Sequence, residues 1–271
     1  MPELPEVETT RRGLEPLLVG QTIRAMDIRQ PRLRWRVDSS LPASVKKQSV
    51  RSLKRRGKYL IVNLDDGALL IHLGMSGRLR YVTDSAPPEP HDHYDVSFFS
   101  GSKLRFNDPR RFGSLHFTGE SPENHWLLRN LGPEPLGNKF STDYLWSISR
   151  GRRVAVKQLL MNGNIVVGVG NIYASEALYR AGIRPTRPAG RIAQRRYVLL
   201  VDAVREVLRE AIRAGGTTLR DFMDSDGNAG YFQQKLSVYG REGEPCNHCG
   251  EAIRQRVIGQ RATYYCTSCQ R

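Results

Sequence analysis

Cysteine is missing from the first 245 residues of this 271-residue chain. That excludes a disulfide framework for nearly all of it and points to a reducing compartment, the cytoplasm. No apolar run approaches the length of a membrane span, and MPELPEVETT has neither the basic start nor the apolar core of a secretory signal. Acidic residues are scarce: 27 Asp and Glu stand against 42 Lys and Arg, a formal charge of +15. Such an excess steers polyanions toward the surface and releases their condensed counterions, so nucleic acid is the first partner to consider. Charge alone leaves a basic soluble protein or a membrane-surface binder open.

What is present divides along the chain. Pro5 suits a first helical turn, Glu3, Glu6 and Glu8 suit its positive end, and Val7, Leu14, Leu17 and Leu18 recur on one face until Gly20, so a short amphipathic helix opens the fold. Short or alternating apolar runs follow (TIRAMDI, KYLIVNL, ALLIHL, RLRYV, YDVSFF, SLHF), separated by turns such as Asp66-Gly67. They predict an antiparallel sandwich or barrel to about residue 118. Residues 84–90 read as a loop. Beyond Glu123 the periodicity turns helical, predicting helices over His125–Leu131, Thr142–Ser149, Arg152–Met161, Asn171–Ala181 and Ile192–Ala214. The class is therefore α+β: a β-sandwich domain over 1–130, a Gly- and Pro-rich hinge over 131–137, a helical domain over 138–240 and a cysteine module over 241–271.

Cys246-x-x-Cys249, sixteen residues, then Cys266-x-x-Cys269 is a spacing that lets two turns present four thiolates to one zinc ion. The intervening Ile253–Ile258 and Arg261–Tyr265 predict a hairpin with Arg261 at its tip; by spacing alone this is a structural ribbon with a solvated arginine. At the other end, a small Pro2 permits removal of Met1 and exposure of a secondary amine. An α-amino group titrates near 7.7–8.0, so roughly a tenth to a fifth is neutral at pH 7 and nucleophilic. Pro and Glu here also suit an ordinary helix start.

The stretches MPELPEVETTRRGL, RRGKYL, HLGMSG, NDPRRFG, GVGNIYASEALYRAGI, GGTTLRDF, VYGREGEPC and the four-cysteine end together resemble the formamidopyrimidine-DNA glycosylase family, in order and over nearly the whole chain. Leu4, where the endonuclease VIII branch typically has Gly, favours the oxidised-purine branch. The resemblance implies a bifunctional glycosylase and abasic-site lyase of base excision repair. It would remove 8-oxoguanine and formamidopyrimidines through a Schiff base on Pro2 and then cut the strand by β,δ-elimination. Glu3 would move protons with Glu6 in support, and Lys58 would stand beside the reacting nucleotide. His72 would contact phosphate; Met75, Arg111 and Phe112 would fill the gap left by the everted base. Asn171, at the start of a helix in a helix–two-turn–helix element, and Arg261 would grip the backbone. Residues 217–231 would cover the base. Implied too are one structural zinc on Cys246, Cys249, Cys266 and Cys269, no redox or nucleotide cofactor, lesion-bearing or abasic double-stranded DNA as partner, no membrane, a monomer, and a bacterial cytoplasmic, nucleoid-associated location. Two departures stand out: Ala229 where the family commonly has Pro, which touches loop order and lesion preference, and Asn162-Gly163 in place of an acidic stretch. A related enzyme preferring oxidised pyrimidines, or a non-catalytic zinc damage binder that needs no free amine, are the competing readings.

Overall fold

The computed structural model describes residues 2–83, 85–215 and 236–271. These residues form two compact units, residues 2–129 and residues 130–214 with 236–271.

The first unit opens with helix α1 (Leu4–Leu18), which buries Val7, Leu14 and Leu18 and ends as the chain turns at Gly20, φ 86°. Two four-stranded antiparallel sheets follow. One orders β1 (Ile23–Ile28), β6 (Asp92–Phe98), β7 (Ser102–Asn107) and β5 (Arg78–Thr83); the other orders β2 (Ser52–Arg56), β3 (Tyr59–Asn63), β4 (Ala68–His72) and β8 (Ser114–Thr118). A short helix, α2 (Leu41–Val45), lies between β1 and β2. Ile23, Val96, Leu104 and Phe106 from one sheet share a core with Leu60, Val62, Leu69 and Ile71 from the other, so the unit is a sandwich closed by the inner faces. The loop reading agrees with the fold over residues 85–90: Arg105, 2% exposed, reaches from β7 to the carbonyls of Ala86 and Pro87 while pairing bidentately with Asp95.

The helix predicted over His125–Leu131 is absent. A 3-10 turn spans Pro122–Asn124, and turns bonded to the His125 carbonyl follow. Seven residues scarcely repay helix nucleation, and Trp126 instead packs edge-on against Trp35 at 5.3 Å.

The second unit is built on α3 (Thr142–Ser149), α4 (Val156–Met161), α5 (Asn171–Arg180) and α6 (Gln194–Arg213), around a core including Leu159, Ile172, Ala177, Leu200 and Val204. α4 starts four residues later than the periodicity predicts. Ala155 bridges Pro188, and the amides of Val156 and Lys157 donate to the Arg187 and Pro185 carbonyls, so this backbone is committed to a neighbour before the helix begins. Gly132 also belongs here: its amide donates to the Gly163 carbonyl, and a Cβ on it would stand 2.5 Å from the Ile165 backbone. The hairpin of β9 (Arg254–Ile258) and β10 (Arg261–Tyr265) turns at Gly259-Gln260, whose φ values of 54° and 61° are those a tight two-residue connection requires. Among the described residues no helix is long and apolar enough to cross a membrane.

Candidate functional site

Sheet register sets the first half of the site. Arg56 pairs with Tyr59, Tyr59 with His72 and His72 with Ser114, so the Gly57-Lys58 turn, the loop after β4 and the loop before β8 all leave the same end of one sheet. Three motifs distant in sequence thereby meet. The His72 ring lies 4.8 Å from that of Tyr59, and its Nδ1 accepts a bond from the Gly74 amide at 2.9 Å. A ring nitrogen that accepts carries no proton, so neutral His72 bears its hydrogen on Nε2 and can donate it outward. Burial first, then the charges of Lys58 and Arg34, pull the His72 pKa down to about 4. At neutral pH it is a hydrogen-bond donor rather than a cation.

Asp108, fully buried, ties the loop after β4 to the loop before β8. Its carboxylate accepts from the Ser76 hydroxyl at 2.6 Å and the Gly113 amide at 2.7 Å, and its carbonyl from the His93 ring and the Arg111 amide. The loops touch backbone to backbone: a Cβ on Gly74 would stand 2.4 Å from the Gly113 nitrogen. Met75 is half-buried, Arg111 is exposed in a left-handed conformation (φ 56°), and Phe112 is 43% exposed. The guanidinium stacked on Phe112 is that of Arg110, 5.0 Å from the ring centre. Sequence reading passed over Arg110, Asp108 and Arg34; only the close approach of Gly74, Gly113 and Arg34, whose amide donates to the Gly113 carbonyl, reveals them.

Pro2 is half-buried and directly precedes Glu3, the N-cap of α1. Glu3 and Glu6 form a reciprocal capping box, with the Glu3 amide donating to Glu6 Oε2 at 2.7 Å. Both are almost fully buried, at 2% and 5% exposure. Glu8 pairs with Arg55 of β2 at 3.1 Å, which ties this helix start to the strand leading into the Gly57-Lys58 turn. Arg55 is therefore part of a buried ion network and not of a solvated basic turn. Desolvation opposes ionisation of Glu8, but its bonds to Arg11 and Arg12 prevail and hold the carboxyl below its usual range.

The second unit carries Asn171 at the first turn of α5 and Arg261 at the start of β10. A buried lysine brings their elements together. Lys157 of α4 donates to Asn171 Oδ1 at 2.6 Å, Thr263 Oγ1 at 2.7 Å and the Ala262 carbonyl at 3.2 Å, while Asn171 Nδ2 donates to the same carbonyl at 3.0 Å. Glu176 of α5 accepts from the amides of Ser237, Val238 and Tyr239, which anchors the chain that leads to the cysteines. Lone charged residues inside apolar helices, Lys157 in VAVKQLL and Glu176 in YASEAL, were the only sequence signal of these two clamps. Residues 217–231, and Ala229 with them, lie outside the described residues.

The four cysteine sulfurs lie within 4.8 Å of one another, with Cys246–Cys269 at 3.9 Å and Cys249–Cys266 at 3.4 Å. Zinc–sulfur bonds of about 2.3 Å in a tetrahedron place sulfurs about 3.8 Å apart, so the cluster matches the ion in scale. It is a structural zinc site: four thiolates complete the tetrahedron, and the ion joins the hairpin to a small core of Val238, Ile253 and Cys266.

Comparison with known proteins accords with both halves. The N-terminal domain model of formamidopyrimidine-DNA glycosylase matches residues 1–115, its H2TH domain model residues 131–223, and a zinc finger found in FPG and IleRS residues 243–271. The formamidopyrimidine-DNA glycosylase of Alkalilimnicola ehrlichii is 58% identical over 100% of both chains. Lactococcus lactis Fpg, solved in complex with DNA containing an abasic site, superposes with a TM-score of 0.91 at 35% identity, covering 99% of each chain. The wild-type form of that protein with DNA containing N7-benzyl-Fapy-dG gives 0.92 at 35% identity over 100% of each. Matched in all three modules and along its full length, the chain belongs to the formamidopyrimidine-DNA glycosylase family and is a DNA glycosylase of base excision repair.

Proposed function

We propose that the enzyme is bifunctional: it releases oxidised purines, 8-oxoguanine and formamidopyrimidines, from double-stranded DNA and then cleaves the strand at the abasic site. The Lactococcus relative solved with abasic and Fapy-dG DNA supports this substrate class. The observation that carries the mechanism is the placement of Pro2 immediately before two buried, mutually capped carboxylates.

With Met1 removed, Pro2 offers a secondary amine at the positive end of α1. Its lone pair attacks C1′ as the glycosidic bond breaks, and the base leaves with the bonding pair and a proton. Ring opening then gives a cationic imine between Pro2 and the sugar. Glu3 is the carboxylate positioned to deliver and remove protons in these steps, with its geometry held by Glu6. Elimination of the 3′ and then the 5′ phosphate follows from the acidity the imine confers on C2′ and C4′. Lys58 and the Nε2–H of His72 hold the phosphates of the everted nucleotide. Met75 and Phe112 fill the vacated stack, with Arg111 or the Phe112-stacked Arg110 bonding the orphaned base. Asn171 and Arg261 grip the backbone.

Borohydride trapping on duplexes containing 8-oxoguanine tests the nucleophile. Reduction should attach the DNA to Pro2 as seen by peptide mapping, and retention of Met1 should abolish it. Pro2→Gly, which keeps a terminal amine, should weaken trapping, and Glu3→Gln should bind lesion DNA yet release base slowly. DNA trapped on Lys58 with Pro2 unmodified would refute the assignment. Preferential trapping on dihydrouracil duplexes would favour oxidised pyrimidines, and tight binding with no trapping a non-catalytic binder.

A further inference from the structure

The second unit holds a concentration of positive charge that neither Asn171 nor the zinc hairpin explains. Three chain segments meet there through their backbones. The amides of Ala189 and Gly190 donate to the carbonyls of Val154 and Arg152, that of Val156 to Arg187, and that of Arg271 to Gly182, each at 2.9 Å. Gly190 sits so close to the preceding turn that a Cβ would stand 2.9 Å from the Arg152 oxygen. The platform is fixed, and its arginines project from it. Arg152, Arg153, Arg184, Arg191 and Arg271 are exposed and Arg187 half-buried. They rim two adjoining hollows of about 320 and 360 Å³ that share Pro188 and Arg191. Two are themselves braced: Arg152 Nε donates to the Ile148 carbonyl, and Arg184 stacks over Tyr265 at 5.8 Å.

Among the described residues no side-chain carboxylate pairs with them; the main-chain oxygen of Arg271 accepts from the Arg184 amide at 3.3 Å. Among the described residues, the ion pairs of this unit join Arg180 to Glu206 and Glu210 and Arg241 to Glu244, and none involves the six arginines of the rim. Asp143 of α3 accepts from Gln194, the first residue of α6, at 2.9 Å. Helix electrostatics deepen the imbalance. α6 begins beside the rim with Arg195 and Arg196 in its first turn and no acid there, the reverse of what a helix N-terminus favours. Burial and then the charges of Arg187 and Arg195 hold the Arg196 guanidinium below its usual range. A rigid platform that keeps like charges together at a positive helix end sacrifices local stability, and such broken local rules collect at functional surfaces.

The geometry selects a class of ligand. Guanidinium forks pair with phosphate oxygens bidentately, and a rim spanning two hollows suits successive phosphates better than one small anion. Duplex DNA presents one charge per about 1.7 Å of axis and is the polyanion this enzyme always meets. The rim is also set apart from the backbone grip. Arg184 lies past the C-terminal end of α5, whose ten residues put Asn171 about 15 Å away. Tyr265, beneath Arg184, is at the far end of β10 from Arg261, about 14 Å along the strand.

We propose that Arg152, Arg153, Arg184, Arg187, Arg191 and Arg271 form a second phosphodiester site, which holds duplex DNA outside the stretch gripped by Asn171 and Arg261 and supplies sequence-independent affinity. The site rests on the family's action on DNA and not on the assignment of Pro2. Its test uses the full-length, zinc-loaded chain with four rim residues changed together: R152Q, R153Q, R187Q and R191Q. Affinity is measured against salt for undamaged duplex of about four helical turns and for a lesion duplex of about one turn. On the long duplex the slope of log K against log salt should fall by about 3.6, from four lost phosphate contacts at about 0.9 each. On the short duplex, binding and single-turnover base release should match the parent, and lysine at the same four positions should restore the long-duplex slope. An unchanged slope on the long duplex overturns the proposal. Equal losses on both lengths also overturn it, because the rim would then belong to the lesion grip. Tripolyphosphate that protects the rim from arginine-modifying reagent without displacing long duplex would assign it to a small anion, against the proposal. Removing repulsion should leave melting at low salt at or above that of the parent; if the quadruple variant fails to fold, R187Q/R191Q carries the same comparison, with a slope change of about 2 expected and none refuting.

Discussion

Lys157→Met isolates the clamp that orients Asn171 and the strand carrying Arg261, the proposed backbone grip. The lysine is fully buried, and its acceptors include Asn171 Oδ1, Thr263 Oγ1 and the Ala262 carbonyl. A hydrogen bond from a charged donor contributes about 1.5–3 kcal/mol, so these three give about 5–9 kcal/mol gross. Methionine fills a similar volume and removes the desolvation cost of the ammonium, yet it takes the donor from Asn171 Oδ1 and one of the bonds from Thr263 Oγ1 and the Ala262 carbonyl, which keep their bonds to the Arg261 carbonyl and Asn171 Nδ2. A net loss of about 3 kcal/mol follows. Urea unfolding with zinc content verified measures that stability, and titration with lesion duplex measures the grip. The variant should bind lesion DNA at least tenfold more weakly, because Asn171 and the strand carrying Arg261 lose their shared anchor. The sharper measurement is a double-mutant cycle with Asn171→Ala. If Lys157 acts through Asn171, the two losses in binding are not additive. Losses that sum within about 0.5 kcal/mol refute the positioning argument, even if Lys157→Met is destabilising.

Three further outcomes follow from the site. Cys249→Ser should lose zinc and DNA affinity together while leaving the sandwich unit folded; full DNA binding after verified metal loss would contradict the hairpin's role. His72 and His116 both have pKa values lowered to about 4, His72 by burial and the charges of Lys58 and Arg34, His116 by burial and His125. A folded value below the ordinary 6.5 favours the neutral ring, so the stability each contributes is whole above about pH 6.5 and is lost as pH falls toward 4, by at most about 3 kcal/mol for buried His72 and by much less for His116, whose partial exposure lets solvent screen the effect. His72→Gln should remove part of the loss in urea midpoint between about pH 7 and pH 5, and an unchanged loss would deny His72 a share. Arg110→Ala and Arg111→Ala, compared on lesion duplex and on single strands, identify the cation that bonds the orphaned base: the true filler weakens duplex engagement selectively, and equal losses on both substrates exclude the residue tested.

The leading helix, most strands of the sandwich, the metal hairpin and the four thiolates were legible because each rests on local periodicity or fixed spacing. A 2-residue alternation buries one sheet face, and a CxxC pair presents its sulfurs whatever surrounds it. Recognition of ordered motifs supplied the candidate residues, but not their relations. Strand order alone brought RRGKYL, HLGMSG and NDPRRFG to one sheet end, since register is a long-range property. The 125–131 segment became turns because Trp126 found a partner on Trp35, and α4 lost its first turn to carbonyls some thirty residues ahead. Lys157 and Asp108 read as unremarkable charged residues until burial left them surrounded by acceptors and donors. The arginine rim shows the same limit most plainly. Its members spread from residue 152 to residue 271, and only backbone bonding between three segments sets their charges side by side. Local sequence encodes which faces turn inward; the pairing of distant backbones decides which charges must share a surface.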